Sequence, residues 1–402
     1  MADIPLAVLD LVPLADGDGL GDAVRNAADL ATRAEALGYA RYWVAEHHFN
    51  PGVLGISPAL ALSLAAGSTT SIRLGSAGVQ MGHRTPLSVV EEFGLLDARF
   101  PGRLDLGLGR SLGRRPPKPI DGDDGADGQP VDTSEAAKRE RAVARAAYAG
   151  HDEDRRTDEG VLLPKRFDPT RMVTASTLRA GMALMQQPGG YTPAYAEQTD
   201  DVLALLAGTY VSEKGVEVHA SPGEGAEVEV WVLGSSGGVS AEVAGARGLR
   251  FAASYHHTPS TVTDAVTSYR EAFQPSADLA EPYVSVSADV VVAEDDATAQ
   301  RLAAGYGLWV RSIRSGSGAI PFPTPDQAAA HVWTEDDRAL VQDRLDTQVV
   351  GSPSTAADLL EQLAKATGAD ELAITTITHD HADRVRSYEL LATEWRRRRA
   401  QT

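Results

Sequence analysis

The stretch LAVLDLVPLADGDGLGDAVRNAADLATRAEALGYARYWVAE, residues 6–46, contains the unit from which the rest of the chain is built. LAVLD (6–10) is an apolar run of strand length, and DAVRNAADLATRAEALG (22–38) carries apolar residues at helical spacing and closes on Gly38. RYWVAE (41–46) then starts the cycle again. The alternation continues through the helix SPALALSLAAGST, the strand RLGSAGVQM (73–81), the helix PLSVVEEFGLLDARF with Pro86 suited to a first turn, and the strand RLDLGLG (103–109). Four further strands follow: VEVWVLG (228–234), LRFAAS (249–254), YVSVSADVVVA (283–293) and ELAITTI (371–377). Eight strands alternating with helices predict an α/β chain folded as a closed parallel (α/β)8 TIM barrel, one domain over residues 1–402.

Two stretches break the rhythm. A long insertion after strand four, residues 114–191, opens with RRPPKPIDGDDGADGQPVDTSE, whose Pro, Gly and Asp content predicts irregular chain. It continues through a charged helix, SEAAKRERAVARAAYAG, and YAEQTDDVLALLAG (195–208) resumes the pattern. A second excursion, about Tyr306 to Asp346, lies between strands seven and eight and carries SIRSGSGAIPFPTPDQ. Both follow strands, so both are expected on the face where barrel enzymes place their sites, as lids or as passive insertions.

Composition narrows the chemistry. The 402 residues are 43% hydrophobic and 23% charged, ample for a large core. A formal charge of −19 repels polyanions, so nucleic acid is not an expected partner, and the basic run Arg396 to Arg399 suits the end of a helix. With no cysteine, thiolate nucleophiles, cysteine-ligated metals and disulfides are excluded. No run approaches the roughly 18 apolar residues of a membrane span, and the N-terminus lacks the pattern of a secretory leader, so a cytoplasmic location is expected.

Seven of the ten histidines follow closely on strands: His47, His48, His83, His256, His257, His379 and His381. In AEHHF, Glu46 beside His47 and His48 suits general acid or base work, since a carboxylate can fix a tautomer and an imidazole can move a proton near neutral pH; a structural pairing at the strand end is the alternative. LGSSGG (233–238) leads from a strand into a helix, where glycines admit close approach, serines donate hydroxyls and the helix start offers unpaired N–H groups: a phosphate cradle or a capped turn. GLGRS (107–111) puts Arg110 at another strand end, where its fork suits a phosphate or a surface ion pair. Neither a dinucleotide fingerprint nor a Walker sequence is present.

LGYARYWVAEHHF, RLGSAGVQMGHRTPLSVVEEFGLLDARFPGRLDLGLGR, LGSSGG before AGARGLRFA, and VVGSP together resemble the bacterial-luciferase-like flavin-dependent oxidoreductases, over about Ile4–Leu112 and Tyr195–Leu391. The resemblance implies an (α/β)8 barrel binding FMN, or in some branches F420, at the C-terminal strand ends. It matches His47 to a histidine near the reactive edge of the flavin that assists proton transfer, with Glu46 in support. Ala77 and Gly78 fall on the segment along the isoalloxazine ring, often through a cis peptide; Arg110, Ser235, Ser236 and Gly237 match positions that hold the phosphate, joined by Ser240. Where the luciferase subunit has a cysteine before the matching arginine this chain has Gly109, so light emission is not implied.

The expected function is therefore a monooxygenase that uses reduced FMN and O2 to oxidise a small organic substrate, supplied by a separate flavin reductase and working as a homodimer. Alternatives are an F420-dependent hydride-transfer enzyme of the same fold, a flavin-binding relative without catalysis, and a metal-dependent barrel hydrolase with His47, His256 and His379 as ligands. On the leading reading no metal is required.

Overall fold

The computed structural model describes residues 4–111, 150–173 and 175–401. Eight parallel strands form the barrel: β1 (Leu6–Asp10), β2 (Arg41–Val44), β3 (Arg73–Ser76), β4 (Leu104–Gly109), β5 (Val228–Gly234), β6 (Arg250–Ser254), β7 (Val284–Val292) and β8 (Glu371–Thr375). Each pairs with the next, and β8 pairs with β1, Leu6 lying beside Leu372, so the sheet closes. Closure leaves no free edge among these strands. Alternation along β1 sends Val8 outward to the helices and Ala7 and Leu9 into the barrel, where they join Trp43, Trp231 and Ala373.

The helices start and stop where local chemistry dictates. Thr85 caps Pro86–Arg99 by accepting the Ser88 N–H, and Gly38 ends Leu20–Leu37 with φ 78°, a conformation that side-chain-bearing residues resist. The third strand departs from its expected continuous run over 73–81. It stops at Ser76, passes through a cis Ala77–Gly78 peptide and resumes as the short strand Val79–Gln80 beside Leu108 and Gly109.

The N-terminal mouth of the barrel is filled by charge. Arg41 donates to Glu371 (2.8 Å), Asp105 (2.9 Å) and Glu229 (2.9 Å), and Arg73 donates to Asp105 at 2.7 Å. The Trp43 indole also donates to Asp105, and its ring meets Trp231 edge-on at 4.8 Å. Burial alone would lower Arg41, but the attraction of its three carboxylates wins and lifts it above the ordinary arginine value.

Both excursions emerge on the opposite face. The RRPPKPIDGDDGADGQPVDTSE stretch and the charged helix after it lie outside the described residues, but residues 150–191 contain a strand pair, Arg155–Arg156 with Leu162–Leu163, and two short helices, Thr170–Val173 and Ser176–Leu184. His151 ties this segment to Asp264 at 2.6 Å, and Tyr255 donates to the Leu162 carbonyl. The second excursion is more regular than its Gly and Pro content predicts. Helices Tyr306–Arg314, Pro325–Ala330 and Glu335–Thr347 occupy most of it, the last two capped by Thr324 and Thr334, and the Gly/Pro run only connects the first two. Composition averaged over the stretch concealed the helices.

Candidate active site at the C-terminal end of the barrel

Two cavities meet over the C-terminal strand ends and share His47, Ser235, His256 and His257 in their walls. The inner one, 340 Å3, has a floor of small and flat side chains: Leu9, Trp43, Ala45, Ala77, Ala252, Ala253 and Ala373. Gly78 permits this shape, because a Cβ there would lie 2.7 Å from the Leu233 side chain and 2.8 Å from the Gly107 carbonyl. At one side stand Arg110, Ser235, Ser236, Gly238 and Ser240, where Val239–Ala246 begins and turns its first N–H groups outward. Tyr195 braces that side by donating to the Leu108 carbonyl at 2.9 Å.

Eight of the nine site positions expected from the sequence line this cavity directly: Glu46, His47, Ala77, Gly78, Arg110, Ser235, Ser236 and Ser240. Gly237 does not. It turns away to meet the helix Val262–Ala272, where a Cβ would sit 2.6 Å from Ser268 Oγ, and Gly238 takes its place in the wall.

His47 bridges the two cavities. Its backbone N–H donates to the Gly55 carbonyl at 2.7 Å, and its Nδ1 is buried without a hydrogen-bond partner among the described residues. Burial pushes its pKa down to about 4, against the pull of the Glu46 charge. The imidazole is thus neutral at pH 7, able to accept a hydrogen bond or a proton at one nitrogen and donate at the other, rather than poised near its midpoint as the sequence suggested.

Glu46 is near His47 but bonds elsewhere. Its carboxylate accepts from His48 Nε2 (2.9 Å), His83 Nε2 (3.1 Å), Arg84 Nε (3.1 Å) and the Gln80 N–H (2.9 Å). Burial alone would raise Glu46; the hydrogen bonds from His83, Gln80 and His48, with the Arg84 charge, hold it at about 2. Its direct support goes to the neighbouring loops, and His47 feels it only through space.

Glu46, His48 and His83 are the one group among the described residues whose ligand atoms lie close enough to hold a metal, within 4.8 Å of one another. Arg84 already seats a cation against Glu46, so the cluster is electrically complete. The trio weighed for a hydrolase, His47, His256 and His379, is not gathered: His379 donates to or accepts from groups around Asp16 and Asp380, away from the shared wall. His381 pairs with Asp29.

The outer cavity, 420 Å3, is walled by residues from both excursions. Phe49, Val53, Phe167, Met172, Trp309 and Ile313 make it largely apolar. Two buried ion pairs stand in the same wall: Arg344 with Asp289 (2.9 Å) and Arg314 with Asp343 (2.8 Å). Tyr306 bonds both Asp289 and Arg344, and His256 meets Ser287 Oγ at 2.6 Å. Burial and the Arg344 charge push His256 down to about 3, and His257 well below its ordinary value, so both rings are neutral. Arg344, Asp289, Tyr306 and Trp309 were not singled out in the sequence; the signal available was helical spacing of Tyr306, Trp309 and Val310 within 306–314.

Among the described residues no helix is long and apolar enough to cross a membrane. The luciferase-like monooxygenase family model matches residues 6–140 and 196–371. The chain is 33% identical over 397 residues to the uncharacterized protein YvbT of Bacillus subtilis, covering 98% of each, and 29% identical over 388 residues to the luciferase-like monooxygenase of Escherichia coli K12, covering 96% of each. Its fold superposes on the crystal structure of apo-MsnO8 with a TM-score of 0.74, at 28% identity and 98% coverage of both chains. With the closed barrel and the paired cavities at its C-terminal end, these matches identify the chain as an oxidoreductase of the luciferase-like monooxygenase family.

Proposed function

We propose that this protein is a flavin-dependent monooxygenase that uses reduced FMN and O2 to oxidise a small organic substrate, with the reduced flavin delivered by a separate reductase. The observation that carries this is the inner cavity, where a flat floor of alanines ends at a positive, hydroxyl-rich side built by Arg110, Ser235, Ser236, Ser240 and a helix start. A planar ring with a phosphate tail fits that division, and the family resemblance points the same way. Bound there, reduced flavin would supply the two electrons that activate O2, one oxygen atom of which goes to the substrate and the other to water.

The chain's own residues do the rest. Arg110 and the serines hold the phosphate, the Ala77–Gly78 turn and Trp43 support the ring, and the apolar outer cavity keeps water from the reacting atoms. Neutral His47, between the cavities, holds or accepts a proton at its unpartnered Nδ1. Glu46, through His48, His83 and Arg84, keeps the loops around His47 in place. His47→Asn should leave FMN affinity near normal and slow oxidation by roughly 10² or more, the range of a general acid–base contribution; an unaltered rate removes His47 from that role. FMN and F420 titrated separately, followed by absorbance and fluorescence, decide the cofactor: FMN should bind, and tight F420 binding without FMN binding overturns the proposal.

A homodimer completes the reading. Pro58–Ala66 carries no charged residue, Leu60 and Leu64 on it are 64% and 51% exposed, and Leu95 on the adjoining helix Pro86–Arg99 is 66% exposed. A helix apolar on every side is ordinarily covered, and a two-fold partner covers the same patch on both copies. Light scattering should give twice the chain mass, and Leu60→Glu should halve it; a wild-type monomer refutes this part.

A further inference from the structure

His256 stands just beyond β6 and is held along one edge only. Its backbone N–H donates to the Ser287 carbonyl at 3.0 Å, and its Nδ1 meets Ser287 Oγ at 2.6 Å, with Ser254 Oγ at 3.4 Å. Ser254 and Ser287 stand in the wall of the inner cavity, and neither lines the outer one, whereas His256 lines both. The ring is thus anchored from the inner side. Its Nε2 has no partner among the described residues and is not sealed by packing, so that edge is open to a ligand.

Ser287 decides which ring nitrogen carries the proton. Its hydroxyl has one proton and donates it to the Ala253 carbonyl at 3.3 Å, a group that can only accept. The proton between His256 and Ser287 then comes from the ring, and Nδ1 is the donor. Burial and the Arg344 charge keep the imidazole neutral. A neutral imidazole protonated at Nδ1 presents a bare lone pair at Nε2.

The surroundings say what should meet that lone pair. The charged groups of the outer wall are engaged already, Arg344 with Asp289 and Arg314 with Asp343, and Arg166 is not free. Around them stand Phe49, Phe167, Met172 and Trp309. In such a chamber an apolar group placed against Nε2 strips it of water and offers no hydrogen bond in return, so a hydrogen-bond donor is favoured over its capped isostere. Volume sets the body that carries the donor: a dry cavity of about 150 Å3 takes one benzene ring, and this one measures 420 Å3.

We propose that the substrate is an uncharged molecule with a hydroxyl group on an apolar body of about two rings, and that His256 Nε2 accepts the hydrogen bond from that hydroxyl. His256 is then a specificity-determining residue distinct from His47, and Ser287 is the positioning residue that fixes its tautomer. This deepens the monooxygenase reading and rests on it for the word substrate. The hydrogen bond itself needs no cofactor.

The test is isothermal titration of the full-length protein, cofactor-free and again with saturating FMN, using 2-naphthol and its methyl ether, 2-methoxynaphthalene. The naphthol should bind about three- to tenfold more tightly than the ether, the scale of one neutral hydrogen bond. His256→Phe keeps a flat ring and removes the acceptor, and should bring the two ligands within about twofold of each other. Ser287→Ala leaves the imidazole but unlocks its tautomer, and should narrow the preference; it decides the matter should His256→Phe fail to fold. Nitrogen-15 spectra of the wild type, with the His256 signals identified by their shift in Ser287→Ala, should show Nδ1 protonated and Nε2 bare. Equal affinity of the wild type for naphthol and ether, a full preference surviving in either variant, or a proton on Nε2 overturns the proposal. FMN separates the two claims. A preference for naphthol without FMN binding keeps the hydroxyl site and defeats the flavin reading, whereas FMN binding that expels naphthol puts the probe in the inner cavity and defeats the hydroxyl site.

Discussion

The two ends of the barrel use buried polar groups in opposite ways. At the N-terminal mouth, Arg41, Arg73, Asp105, Glu229 and Glu371 engage one another, each arginine bonded to more than one acceptor, and Glu371 Oε1, the one buried atom of this cluster without a partner among the described residues, borders neither cavity. At the C-terminal end, His47 Nδ1, Trp309 Nε1 and Arg344 Nε have no partner among the described residues, and all three residues border cavities. The same strands run through both ends. A polar group bonded to its neighbours is committed to the fold, whereas one left unbonded is a standing cost that a ligand can relieve. The contrast separates the end that holds the barrel together from the end that acts.

Removing one side of the plug should produce the largest change. Arg41→Ala strands Asp105 and Glu371 without their main counter-charge and should cost about 3 to 5 kcal/mol of stability in urea unfolding, with FMN affinity of the folded fraction unchanged. A stability loss under about 1 kcal/mol would dissolve the distinction between the ends. Next is Arg110→Ala, expected to weaken FMN by about 1.5 to 3 kcal/mol while moving the unfolding midpoint little. Unchanged FMN affinity would take Arg110 out of the phosphate side.

Acidification probes the active end without mutation. His47 and His256 are depressed to about 4 and about 3 in the fold, below the ordinary histidine value near 6.5. Between those limits the unfolded chain binds more protons than the folded one, so stability is fully present above about pH 6.5 and falls as pH drops toward 4. From pH 7 to pH 5 the loss should be on the order of 2 kcal/mol for each ring held neutral, read by thermal or urea unfolding. It should shrink in His256→Gln; an unchanged slope would show that the ring is not held neutral. Smallest is Ser236→Ala, which removes one hydroxyl and should weaken FMN by about 0.5 to 1.5 kcal/mol.

Much of this was legible in the sequence, for identifiable reasons. Strand runs such as VEVWVLG (228–234) coincide with the observed strand because every residue there is bounded by turn or polar signals, and the eightfold alternation was enough to specify a barrel. Arg110 and the serines at 235 and 236 were readable because they fall where strands end. The break in the third strand was readable only through the family resemblance, which put a cis peptide at Ala77–Gly78, since nothing in RLGSAGVQM itself marks that turn except its small residues. Gly237 and Gly238 are equivalent as letters, and only packing against Ser268 decides which faces the cavity. Arg344 and Asp289 are 55 residues apart and meet only because the excursion folds back over β7. Long-range pairing of that kind leaves no local pattern to read.

The loop that carries Phe49 is stitched to the second excursion: Gly52 donates to the Ala319 carbonyl, and the Asn50 side chain accepts from the Ala319 N–H, 269 residues further along. Leu14 and Phe322 join the same seam, so three loops from distant parts of the chain close over one chamber. During synthesis at about 5 to 20 residues per second, the first of them waits roughly 15 to 50 s for its partner to leave the ribosome. The chamber therefore belongs to the last act of assembly, and a nascent chain has no working site until Phe322 has emerged.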